Sequence, residues 1–87
     1  MTVDETIRKI LAEQARLETD PQSIDEHGDL FDAGMTSHAS VNVMLALEDA
    51  FDVEFPQELL RKKTFESIFA IEQALSGLVT SDRVSSV

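Results

Sequence analysis

The sequence predicts an all-α fold: a small bundle of three main helices plus one short helix, with a long first loop. Three observations point to it. Apolar residues recur at three- and four-residue spacing in several separate stretches, the period of helices that turn one face to a core. Capping and stop residues sit at the edges of those stretches. No run alternates as a half-buried strand does, and no internal repeat or low-complexity block interrupts the pattern.

The first helix is expected from Val3 to Glu18. Thr2-Val3-Asp4-Glu5 has the capping-box pattern, with Thr2 accepting from the backbone and Glu5 reaching back. Val3, Ile7, Ile10, Leu11 and Leu17 form its apolar stripe. Asp20-Pro21 stops it, because proline disfavours a helical residue before it and donates no backbone hydrogen bond. Residues 19–36 then form a long connection in which Ile24, Leu30 and Phe31 are expected to pin the chain to the core. Loops of this length without regular structure are uncommon and often functional.

The second helix is expected from Ser37 to Phe51. Val41, Met44, Leu45, Glu48 and Phe51 fall along one side, and Val43 and Leu47 widen the apolar face. Asp52 to Phe55 is a short link, and Pro56 suits the start of a helical turn. Gln57 to Lys62 is expected as the short helix, with Leu59 and Leu60 facing inward. Thr64 is a good N-cap for the last helix, Phe65 to Leu75, whose inner residues are Phe65, Ile68, Phe69 and Leu75. Gly77 is the expected stop, so residues 1–76 form the domain and 77–87 a flexible tail.

Length and charge narrow the function. Eighty-seven residues make one domain with one modest core, not a deep cleft between domains. Seventeen acids against seven bases give a net charge of −10, and residues 17–60 contain no Lys or Arg. Such a field repels nucleic-acid phosphates and anionic lipid, and it either speeds encounter with proteins that carry basic patches or serves solubility alone, two readings that acidity does not separate. The charge also favours a monomer. With no cysteine, disulfides, thiolate metal sites and cysteine nucleophiles are excluded. No apolar run is long enough to span a bilayer, and Met1-Thr2-Val3-Asp4-Glu5 has neither signal- nor transit-peptide character, so a cytoplasmic location is expected.

The candidate site is Ser37, at the end of the long loop and the start of the second helix. Free backbone N–H groups and the positive end of the helix dipole favour an anion there. Gly34 allows the backbone to turn just before it. On these grounds alone an ordinary N-cap role for Ser37 is the favoured reading.

Residues 30–56 resemble the signature region of the acyl carrier proteins. The matching elements are Leu30-Phe31-Asp32-Ala33-Gly34-Met35 before Ser37, then Val41, Met44-Leu45-Ala46-Leu47-Glu48-Asp49, Phe51-Asp52-Val53-Glu54 and Phe55-Pro56. The likeness extends more weakly from the first helix to Thr64-Phe65-Glu66-Ser67-Ile68. It implies an acyl-carrier-like bundle that is not an enzyme. The Ser37 hydroxyl would carry 4′-phosphopantetheine, covalently attached by a phosphopantetheinyl transferase, and the cargo would ride on the arm as a thioester. It also implies a partner surface on the second helix and the preceding loop, comprising Thr36, His38, Val41, Leu45, Glu48 and Asp49.

The family usually has Asp-Ser-Leu at the attachment point, whereas here it is Thr36-Ser37-His38. Ala39 and Asn42 replace acids that fatty-acid carriers place further along the helix. The departure implies a specialised carrier rather than a housekeeping one. Some stand-alone bacterial carriers take amino acids from ligases resembling class II aminoacyl-tRNA synthetases and pass them to an acceptor enzyme; aminoacyl cargo is therefore ranked ahead of polyketide, nonribosomal-peptide or unusual fatty acyl groups. The rival class is an acidic helical module that binds basic proteins and is never modified.

Catalytic readings are poor. Ser37 and His38 are adjacent and point in different directions on a helix, so they form no nucleophile–base pair. Gly34-Met35-Thr36-Ser37 lacks the second glycine of a nucleophile elbow. Asp25-Glu26-His27-Gly28-Asp29 lacks the ligand spacing of a calcium loop, and no metal site is expected. His27 is read as an exposed loop residue.

Overall fold

The computed structural model describes residues 2–85. Its helices are α1 (Val3–Gln14), α2 (Ser37–Phe51) and α3 (Ile68–Ser85), with short 3₁₀ turns at Pro21–Ser23, Gln57–Leu59 and Lys62–Phe65. The described residues contain no strand. Ile7, Ile10 and Leu11 of α1 meet Val43 and Leu47 of α2 and Ile68, Ile71 and Leu75 of α3 in one core, closed by Leu30, Met35, Phe55 and Phe65 from the connections.

Thr2 caps α1: its Oγ1 accepts from Glu5 N at 3.1 Å and donates to Glu5 Oε1 at 3.2 Å. The helix ends earlier than expected. Ala15 is its C-cap, and Arg16 enters the left-handed region at φ 51°, which stops the helix before Pro21 is reached. Pro21 instead opens a 3₁₀ turn capped by Asp20, whose side chain accepts from Gln22 N. Val3, expected in the stripe, is exposed, and Leu17 packs on the core from the loop.

The long first loop is tied down at both sides. Arg8 Nε donates to Asp4 Oδ1 at 2.7 Å, and Arg8 Nη1 donates to the carbonyls of Pro21 (2.7 Å) and Ile24 (2.6 Å). Opposite, Leu30 N donates to Glu66 O at 2.7 Å and Phe69 N to Glu26 O at 2.8 Å, joining the loop to the entry of α3. Leu30 is buried, and Ile24 and Phe31 pack against the core as expected.

The expected short helix is replaced by the two 3₁₀ turns, which leave Leu59 half-buried and Leu60 exposed rather than inward. Thr64 falls within the second turn and does not cap α3. That role goes to Ser67, whose Oγ accepts from Ala70 N at 3.0 Å. Phe69, expected inside, is exposed and lies against His27 with ring centroids 4.7 Å apart; Ile71 takes the interior place. Gly77 does not stop the helix. A glycine stop needs a left-handed backbone, which Gly77 lacks, and α3 continues to Ser85. Of the expected tail, Ser86 and Val87 lie outside the described residues.

Carboxylates of Asp4, Glu26 and Glu72 bring α1, the loop and α3 together, with oxygens within 4.8 Å of one another. One oxygen of Glu72 is out of reach of solvent and has no hydrogen-bond partner among the described residues. Burial first, then the charges of Asp4 and Glu26, push the Glu72 carboxyl above the usual carboxylate range, and Arg8 offsets part of this. A raised carboxylate pKa favours the fold at low pH, and that contribution is lost as pH rises through the folded-state value. Glu72→Gln is therefore expected to raise Tm by a few degrees at neutral pH, with the gain shrinking as the buffer is made more acid; thermal melts across that range check it.

Gly34 has φ +115°, and a Cβ there would lie 3.2 Å from Glu18 Cγ and 3.3 Å from Glu18 N. Gly34→Ala is expected to cost about 1–3 kcal/mol through backbone strain, read as a lowered denaturation midpoint.

Candidate functional site at the start of the second helix

The segment before α2 is a compact set of turns. Asp29 Oδ1 accepts from Phe31 N (2.8 Å) and Asp32 N (3.3 Å), and the Leu30 carbonyl accepts from Ala33 N and Met35 N. Buried Met35 anchors the end of this segment, so Ser37 emerges two residues beyond a fixed point in the core.

Thr36, not Ser37, is the N-cap of α2. Its Oγ1 accepts from Ala39 N at 3.0 Å, and its carbonyl accepts from Ser40 N at 2.9 Å. The capping role considered for Ser37 is thus filled by its neighbour. Ser37 is exposed, and its hydroxyl has no hydrogen-bond partner among the described residues. Its carbonyl accepts from Ser40 Oγ at 2.6 Å. The backbone N–H groups of Ser37 and His38 precede the first intrahelical bond and remain free to meet an anion.

Two hollows lie at the start of α2, one lined by Ser37 and the other by its neighbours. On one side is a groove of about 250 Å³, walled by Phe31, Val41, Met44, Leu60 and Phe65, with Ser37 at its edge and Arg61 and Lys62 on its rim. Lys62 Nζ sits 4.9 Å above the Phe31 ring. On the other side, between the end of α1 and the start of α2, is a polar cleft of about 440 Å³ that includes Thr36 and His38.

Along α2, Ser37, Val41, Leu45 and Asp49 recur every four residues and form one ridge. Val41 is 50% exposed and Leu45 53%, large values for apolar side chains on a helix. The apolar face is thus rotated from the expected one, and Val43 and Leu47 are the buried residues of α2. Glu48 stands apart from the other surface residues. Its Oε2 accepts from Phe55 N at 2.8 Å, so its carboxylate braces the link after α2 rather than standing free, while Asp49 is exposed.

The phosphopantetheine attachment-site family model matches residues 5–75. The chain belongs to this family of phosphopantetheine-bearing carriers. The carrier is 50% identical over 70 residues to the aminoacyl carrier protein of Agrobacterium fabrum strain C58, covering 80% of this chain and 84% of that protein. It also matches a chain in the crystal structure of an engineered Bradyrhizobium japonicum glycine:[carrier protein] ligase complexed with a carrier protein from Agrobacterium tumefaciens and ATP, with TM-score 0.85 and 45% identity over 88% of this chain and 100% of that one. A solution structure from Agrobacterium tumefaciens matches with TM-score 0.73 and 43% identity over 93% of this chain and 98% of the other.

The carrier is not an enzyme, and its cofactor is 4′-phosphopantetheine. The residues around Ser37 fit that group: a free hydroxyl, two free N–H groups, and a groove whose cations suit a phosphate and whose apolar wall suits a branched alkyl segment. Sequence reasoning missed Arg61 and Lys62, because nothing local places them opposite Ser37. The threonine cap was legible in principle, since Thr36 stands three residues before Ala39 as a capping side chain must. Among the described residues no helix is long and apolar enough to cross a membrane.

Glu48→Ala removes the partner of a part-buried backbone N–H, an omission worth about 1–3 kcal/mol. It is expected to lower the denaturation midpoint by that scale, while Asp49→Ala leaves it within about 0.5 kcal/mol.

Proposed function

We propose that the chain is an aminoacyl carrier in which Ser37 bears the phosphopantetheine arm and a small α-amino acid is the cargo. The observation that carries this reading is the unengaged, exposed Ser37 hydroxyl, freed for modification because Thr36 does the capping. The aminoacyl carrier relative and the neighbour crystallised with a glycine:[carrier protein] ligase support the choice of cargo and of a loading ligase as partner.

The bound arm supplies a terminal thiol on which the cargo is held as a thioester. The chain's own residues do the rest. Ser37 Oγ gives up its proton and forms the phosphodiester, displacing the nucleotide portion of coenzyme A on a phosphopantetheinyl transferase. The N–H groups of Ser37 and His38 and the start of the α2 dipole stabilise the diester's negative charge. The ridge of Val41, Leu45 and Asp49, flanked by Thr36 and His38, meets the transferase, the ligase and the acceptor enzyme in turn, and the tether raises the cargo's effective concentration at each. Carrier function resides in residues 1–76, and a coenzyme A-dependent modification is consistent with a cytoplasmic, monomeric protein.

Incubation with coenzyme A and a phosphopantetheinyl transferase is expected to add one phosphopantetheine to the intact mass, and ATP, glycine and a cognate ligase are expected to add one aminoacyl group. Ser37→Ala should abolish both. A wild-type protein left unmodified by several transferases, including one from its own source, would point instead to an interaction module.

A further inference from the structure

Resting on that reading, we propose that the polar cleft beside Ser37 is a docking place for the α-ammonium end of an aminoacyl thioester, with Glu13 as its anionic partner. The cleft's polar walls come from Glu13, Gln14 and Arg16 at the end of α1 and from Thr36, His38 and Asn42 of the α2 turn. These segments are far apart in sequence and meet only in the fold. Thr36 uses its hydroxyl as a cap, but the side chains of Glu13, Gln14, Arg16, His38 and Asn42 make no hydrogen bond or ion pair among the described residues. A hollow of about 440 Å³ lined by unengaged donors and acceptors can accept a small polar group, and it begins at the residues flanking the attachment serine. A flexible arm rooted at Ser37 can fold back into it.

The two hollows differ in the cargo they suit. The groove on the opposite side has an apolar wall and two cations, Arg61 and Lys62, which repel an ammonium, and its lining holds no carboxylate to pair with one. The cleft offers the Glu13 carboxylate to the ammonium, the Arg16 guanidinium to the thioester carbonyl, and the Gln14 and Asn42 amides to the amides of the arm. Division of labour follows: the groove takes the root of the arm, and the cleft takes its charged end. An exposed carboxylate–ammonium pair is weak, so the docked and free forms exchange quickly and the cargo is released readily to an enzyme.

The test uses the full-length protein loaded by a transferase from coenzyme A, glycyl-coenzyme A or acetyl-coenzyme A, with each product verified by intact mass. Acetyl is glycyl with a hydrogen in place of the ammonium, so it offers Glu13 no charge. Amide correlation spectra are expected to show shifts at residues 13–16 and 42 for the glycyl form that are absent from the acetyl and free-thiol forms. Glu13→Gln should abolish those shifts while leaving loading intact. Identical spectra for glycyl and acetyl forms in this region, or shifts that persist in Glu13→Gln, overturn the docking site and leave the carrier reading standing. Failure to obtain any modified form by mass overturns the Ser37 assignment itself, and the docking site with it.

Discussion

The geometry of the site depends on Arg8. One guanidinium holds Asp4 on its own helix and two backbone carbonyls of the first loop, those of Pro21 and Ile24. Without this clamp the loop would have to satisfy those carbonyls with water and would lose its fixed course over α1. With it, the chain is steered toward the entry of α3, where Leu30 and Glu26 exchange backbone bonds with Glu66 and Phe69. Met35 then reaches the core, and α2 starts at a set height. A charge-assisted bond to a half-buried arginine is stronger than a neutral one, which suits a loop that has little regular structure of its own.

The site separates two tasks that a helix start usually combines. Thr36 satisfies the helix, and the Ser37 hydroxyl is left without a hydrogen-bond partner among the described residues. For the proposed attachment at Ser37, an uncharged threonine also avoids placing a second negative charge beside the phosphodiester. Further along α2 the same separation recurs between Glu48 and Asp49, adjacent acids of which one braces the backbone and the other faces solvent. Neutral, apolar and acidic positions thus follow one another from Ser37 along a single ridge. Of the consecutive bases Arg61-Lys62-Lys63, the first two line the groove that Ser37 also lines.

Much of the fold was legible in the sequence, and the misreadings have physical causes. The limits of α2 agree with expectation because a cap, a helical apolar period and a following break coincide there. Periodicity put Val41 and Leu45 on its apolar side and the family resemblance put them on an outer surface; both are exposed, a choice that hydropathy alone does not make. Thr64 and Ser67 are both good caps. The intervening 3₁₀ turn, set by how Phe65 reaches Phe55 at 5.4 Å between ring centroids, decides for Ser67. Arg16 ends α1 in a left-handed conformation that sequence would sooner assign to glycine or asparagine. The two hollows joined positions too distant in sequence for periodicity to relate.

The brace at Glu48 has a consequence for how such a protein can change allegiance over evolutionary time. Val41, Leu45 and Asp49 are exposed and hold no backbone group in place, so on the proposed partner surface their identities can drift with the enzyme they meet. Glu48 has no such latitude, since any replacement must still hold the Phe55 amide. Partner switching along this ridge is therefore channelled into a few permissive positions, and a designer wishing to redirect the carrier would begin with those three and leave their neighbour untouched.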